Sequence, residues 1–306
     1  MAIKTLICGL SGTGKSTSAR NLKEVAVVNP VNKPLPFKNH FEMLNGVTDS
    51  AHIIDWIKTR VNYGHKIIIV DDFQYLLSIP YMRRIKETGW DKYNDFASNY
   101  FDIITVCDEL PDDVTVYFMT HTETLEDGTE TVKLIGKLLR EKICIEGLFT
   151  TVLKTMVNDG KYYFITQNNG HDNVKSPLGM FESYAIDNDL AYVDAKIRSY
   201  YEVGTDFLSD EEMAEIDEEA KRVEIEPPKP RSERKRRKAS DIAEAVEEAK
   251  EPLRQRKTRE EVQADNSSKI ANSGIEEADG ADEVEFDKVK EPEVEQPPRR
   301  RRRRTE

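Results

Sequence analysis

The segment Gly9-Leu10-Ser11-Gly12-Thr13-Gly14-Lys15-Ser16 has glycines at its first and sixth positions and ends in a Lys-Ser pair. That spacing suits a phosphate chain. Glycines let the backbone turn tightly and aim successive N–H groups at one anion, and a helix starting at the end of the loop adds its partial positive charge. Lys15 then reaches β and γ phosphate oxygens, and the Ser16 hydroxyl ligates magnesium. Gly9, Leu10, Ser11, Gly12, Thr13, Gly14, Lys15, Ser16 and the following Thr17 are therefore the expected nucleotide-binding set, with ATP and Mg2+ as the expected ligands.

Four further groups have chemistry that a bound triphosphate would need. Asp71 directly follows the apolar run Lys66 to Val70, where a carboxylate would hold magnesium at the C-terminal end of a strand beside the strand of the glycine loop. Ser16 and Asp71 are thus the expected metal ligands. Asp72 has two readings, a carboxylate that polarises the attacking water or a cap for the helix that follows. Thr120-His121-Thr122-Glu123 comes after the run Val114 to Met119, so His121 and Glu123 are expected on the γ-phosphate side, the alternative being an exposed loop start. Lys175, in HDNVKSPLGMF, is expected either to reach a neighbouring subunit's γ-phosphate or to be a solvated surface lysine. Lys137 and Arg140 on GKLLREK are similar candidates.

Regular elements must hold these residues in place. Ile3 to Cys8 reads as a buried strand leading into the glycine loop, and a helix is expected from about Lys15 to Glu24. Ala26 to Val28 is a second short strand, and Asn29 to Lys38, with three prolines, is a loop. Ala51 to Tyr63 places Ile53, Ile54, Ile57 and Val61 on one helical face. The β-branched run Lys66 to Val70 is patterned as a strand buried on both sides. A second long helix is expected from Tyr93 to Glu109, then a strand from Val114 to Thr120. Alternation of this kind implies an α/β fold, mainly a parallel sheet with helices on both faces. Asp127-Gly128 within Thr124 to Val132, and Asn158-Asp159-Gly160 within Thr151 to Gln167, are hairpin signals that add antiparallel strands. Tyr184 to Tyr201 has mixed strand and helix character.

Composition divides the chain. It holds 45 Lys and Arg against 57 Asp and Glu, a formal net charge of −12. Residues 1–204 have the apolar content of one domain, whereas residues 205–306 lack Trp, Tyr and Cys and have Phe207 and Phe286 as their aromatic residues. Such a stretch buries too little apolar surface to offset chain entropy, so a charged, largely disordered tail is expected. Ser209 to Val223 and Ala239 to Gln255 are patterned as short solvated helices. Basic clusters at Arg234 to Lys238 and Arg299 to Arg304 suit a nucleic-acid backbone or an acidic partner, or simply solubilise the tail. Cys8, Cys107 and Cys144 are an odd number, widely spaced in apolar runs, which suits buried thiols in a reducing cytoplasm better than a disulfide or zinc framework. No run approaches the roughly 20 apolar residues of a membrane span, and the N-terminus reads as a strand rather than a leader.

The order GLSGTGKS, IIIVDD, a strand ending in THTE, a β-hairpin and a late NVKSPLGMF loop resembles the RecA-like ATPases encoded by bacteriophages, the group linked to single-strand annealing and recombination. The likeness covers about residues 1–200. It implies a RecA-like nucleotide-hydrolysing core, ATP and magnesium, single-stranded DNA as a partner, and homo-oligomers in which Lys175 meets a neighbour's nucleotide. The tail lies outside the likeness; a replication or single-strand-binding protein is its candidate partner, and the expected place is the cytoplasm, that of the host if the chain is phage-encoded. One departure stands out. Such enzymes place a catalytic glutamate after the second strand, and Val27-Val28-Asn29-Pro30 has no acid there, which leaves Asp72 or Glu123 as the candidate base. A small-molecule kinase and a nucleotide-dependent scaffold are the alternative functions.

Overall fold

In a computed structural model the described residues are 1–205, 207–222 and 225–227. The basic clusters and the helix expected at Ala239 to Gln255 lie outside them. The fold is α/β, a mostly parallel mixed sheet flanked by helices. Its strands are β1 (Ile3–Gly9), β2 (Val25–Asn29), β3 (Glu42–Asn45), β4 (Ile67–Val70), β5 (Thr115–Thr124), β6 (Glu130–Val132), β7 (Thr151–Asn158), β8 (Lys161–Ile165) and β9 (Ala185–Asp187). They are ordered β3-β2-β4-β5-β1-β7-β8-β9, with β6 paired to β5. The pairs from β3 through β7 are parallel, and β8, β9 and β6 join antiparallel.

This order corrects one expectation. The strand beside β1 is β5, not β4. The carboxylates after β4 are consequently one strand further from the glycine loop, and the end of β5 stands between them.

Alternating side chains along the parallel strands feed two cores, as burial on both faces requires. Leu6, Val28, Ile68, Val70 and Phe118 face one side. There they meet Ile53 and Ile57 of α1 (Ser50–Asn62) and Phe96, Tyr100 and Ile104 of α3 (Asp91–Thr105). Ile7, Val27, Ile69, Tyr117 and Met119 face the other side, against Leu190, Val193 and Ile197 of α5 (Leu190–Tyr201). The period of 3.6 in α1 is the expected one, and Asp49 caps it by accepting from His52 N at 2.8 Å.

Several elements differ from expectation. The segment after the glycine loop is a short 3-10 helix, Ser16–Asn21, rather than a helix to Glu24. β3, α2 (Tyr75–Arg83) and the five-residue α4 (Lys137–Glu141) lacked a sequence signal strong enough to be expected. A short edge strand and a helix containing Pro80 carry little periodicity. The mixed segment resolves into β9 and α5. Both hairpins form, and the Asp159-Gly160 turn has positive φ at both residues, 48° and 74°, as a two-residue type I′ turn demands.

Regular structure among the described residues continues past Gly204. Helix α6 (Asp210–Ala220) opens with a capping box between Ser209 and Glu212 and buries Met213. Asp217 accepts from Tyr192 Oη at 2.7 Å and pairs with Lys196, both on α5. A helix expected to be solvated is therefore docked along one face. Cys8 and Cys107 are buried as expected, but Cys144 is exposed because it sits in the turn before a 3-10 helix at Glu146–Leu148. Among the described residues no helix is long and apolar enough to cross a membrane.

Candidate functional site

The glycine loop leaves the C-terminal end of β1. Parallel register pairs Cys8 with Thr120 and Gly9 with His121, so His121 is level with the start of the loop although β5 continues to Thr124. Thr13 ties the loop down, its hydroxyl 2.7 Å from Leu10 O and 2.6 Å from Thr155 Oγ1 on β7. Gly14 has φ +96°, and a Cβ there would lie 2.8 Å from Tyr162 Cδ1. Only glycine fits that backbone without strain.

Ser16 Oγ donates to both carboxylate oxygens of Asp71, at 3.0 and 2.9 Å, across 55 residues of sequence. Lys15 Nζ donates to Gly9 O at 2.9 Å and Leu10 O at 2.7 Å. Asp72 has left-handed backbone, φ +51°, which turns its side chain into the site directly after Asp71. Its carboxylate pairs with Lys33 Nζ and lies 3.4 Å from His121 Nε2. A cavity of about 360 Å³ joins these groups, lined among others by Gly12, Gly14, Lys15, Ser16, Lys33, Asp72, His121 and Tyr162.

Burial governs the electrostatics. It pushes the Lys15 ammonium down to about 8, with Asp72 and Asp71 pulling the other way. Burial, followed by the neighbouring Asp72 charge, raises Asp71 above the usual carboxylate range despite its bond from Ser16. For Asp72 burial also acts upward, but hydrogen bonds from His121 and Lys33 outweigh it and hold the group low. Asp72 is thus the readier of the two to stay ionised.

A magnesium ion fits the Ser16 and Asp71 pair. A hard cation takes oxygen donors, and beside a triphosphate it needs only one or two from the protein, since phosphate oxygens and water supply the rest. Among the described residues no group of three or more His, Cys, Asp and Glu gathers for a metal.

Not all expected residues converge. Lys15, Ser16, Asp71, Asp72 and His121 do. Glu123 instead sits 3.3 Å from Arg140 Nη2 and lines a separate cavity of about 670 Å³ with Arg140 and Lys137. Lys175 is exposed and continues the ladder past the end of β8, exchanging backbone bonds of 2.8 and 3.0 Å with Val152. It does not line the glycine-loop cavity of its own chain. Lys33 and Tyr162 do line it and were not singled out from sequence. For Lys33 a signal existed, a cation shortly after a strand whose C-terminal end faces the ligand side. Tyr162 had none beyond its hairpin.

The chain matches no known protein family and no characterised protein.

Proposed function

We propose that this protein binds and hydrolyses ATP with magnesium at the glycine loop, as a RecA-like ATPase of the phage recombination kind. The observation that carries the reading is the Ser16 to Asp71 contact at 2.9 and 3.0 Å, two residues far apart in sequence brought together as a magnesium site requires. Magnesium bound there would neutralise charge on the β and γ phosphates. Loop N–H groups and Lys15 would take the phosphate oxygens, and Ser16 and Asp71 would hold the metal. Asp72, ionised and beside His121, is placed to accept a proton from water attacking the γ-phosphate in line. The bond between the γ phosphorus and the bridging oxygen then breaks, leaving ADP and phosphate.

Of the two candidate bases this reading takes Asp72 over Glu123, because Glu123 is engaged by Arg140 in the other cavity. Hairpins stand where a kinase would carry an Arg-rich lid, which favours hydrolysis over phosphoryl transfer to a small molecule. The DNA partner and the oligomer rest on the order of sequence motifs. ATP turnover by purified protein, with and without single-stranded DNA, tests both parts, with Lys15→Ala as control. DNA-stimulated turnover that vanishes in the control supports the whole reading. Turnover indifferent to DNA removes the recombination part, and nucleotide binding without turnover leaves a scaffold.

A further inference from the structure

We propose that Lys33 contacts the terminal phosphate of the bound nucleotide from within the same subunit, so that the strap Lys33 to Pro36 senses triphosphate against diphosphate. The inference rests on nucleotide binding at the glycine loop as proposed above.

The strap is built to present this one side chain. It leaves the C-terminal end of β2, where Asn29 is 1% exposed and its Nδ2 donates to Lys33 O at 2.8 Å and to Asn45 Oδ1 at 2.9 Å. Pro34 and Pro36 restrict the backbone that follows, and both line the cavity with Lys33. Leu35 packs toward Ser16 and Asp71 from the other side of the strap. The main chain of Lys33 is therefore fixed while its side chain remains 45% exposed at the cavity wall.

Charge gives the lysine its task. Asp72 brings a negative charge to the wall of a cavity meant for a polyphosphate, Asp71 stands behind Ser16 of that wall, and Lys15 and Lys33 are the lysines that line it. An ammonium has three donors. One is directed at Asp72, which leaves two for oxygens on the cavity side without breaking the pair. Asp72 then positions Lys33, and Lys33 shields the terminal phosphate from the Asp72 carboxylate. A diphosphate ends short of this contact.

The test is the ratio of dissociation constants for ADP and a non-hydrolysable ATP analogue, measured with magnesium on dilute full-length protein. Lys33→Ala is expected to weaken the triphosphate about 10- to 100-fold, the size of a charge-assisted contact, while ADP binding is unchanged. Lys33→Arg is expected to keep most of the preference, and Lys175→Ala all of it. An unchanged ratio in Lys33→Ala overturns the proposal, as does a loss confined to Lys175→Ala. Equal weakening of both nucleotides overturns it too, since that is the mark of a merely structural strap. Wild-type protein that binds neither nucleotide refutes the reading of the site itself, a separate outcome.

Discussion

Asp71→Asn separates folding from ligand binding at one position. The carboxylate is buried, and both burial and the adjacent Asp72 charge raise it above the ordinary range. A group whose folded value is raised contributes stability below its unfolded value, near 3.8, and loses that contribution as pH rises. At neutral pH the ionised Asp71 therefore costs the empty protein stability. Asparagine has the same shape and keeps an acceptor for Ser16 Oγ, so about one charge-assisted bond, on the order of 1 kcal/mol, is weakened while the burial of charge is relieved. These nearly cancel. For a domain of about 150–250 residues a residual of 1 kcal/mol shifts Tm by roughly 2–4 °C, and the unliganded variant should melt within that margin of wild type.

The liganded proteins should differ far more. At a nucleotide concentration about a hundredfold above Kd, binding adds roughly 2.7 kcal/mol, which raises Tm by roughly 5–11 °C. Wild type should show that rise with ATP analogue and magnesium, and Asp71→Asn should lose most of it. Differential scanning fluorimetry with and without magnesium reads both numbers. An unliganded Tm more than about 10 °C below wild type would make Asp71 a folding residue, and a magnesium-dependent shift that survives would remove it from the metal site.

Three other outcomes follow from particular contacts. A chromogenic disulfide should label one thiol at neutral pH, the exposed Cys144, whereas Cys8 and Cys107, which burial pushes up to about 12, should react only on unfolding. Gly14→Ala, forced into φ +96° against Tyr162, should cost about 1–3 kcal/mol in denaturant melts and abolish binding of a fluorescent nucleotide. Asp194→Ala should cost about 3–5 kcal/mol, because the lost carboxylate accepts from Thr115 Oγ1 and Tyr117 Oη at 2.7 Å each and pairs with Arg198 at 2.6 Å. Urea melts decide that, and an effect below about 1 kcal/mol would mean the cluster carries little.

What could be read in advance follows from the range of each signal. The glycine loop, the run Lys66 to Val70 and the face of α1 are local patterns, and each forms where its spacing indicates. Asp71 meets Ser16 although the strand it follows lies two places from β1 and not one. Strand order is set by which apolar edges pair, and no local pattern encodes it. Edge strand β3, with four residues, and α2, interrupted by Pro80, had patterns too short or too mixed to distinguish from loop.

Convergence of the site is the part that local reading reaches least. β1 provides the loop, β2 the strap with Lys33, β4 Asp72 and, bonded to Ser16, Asp71, β5 His121, and β8 Tyr162. Four of these strands are parallel, so their C-terminal ends lie along one edge, the place where an α/β sheet gathers its ligand groups. Alternation then selects among residues on the same strand. Thr120 and Thr122 are buried, while His121 meets Asp72 and Glu123 meets Arg140, and the two line different cavities. Two acids or bases only two residues apart can thus serve separate sites. By the same logic a lysine 39 residues before Asp72 becomes its partner once β2 and β4 are in register.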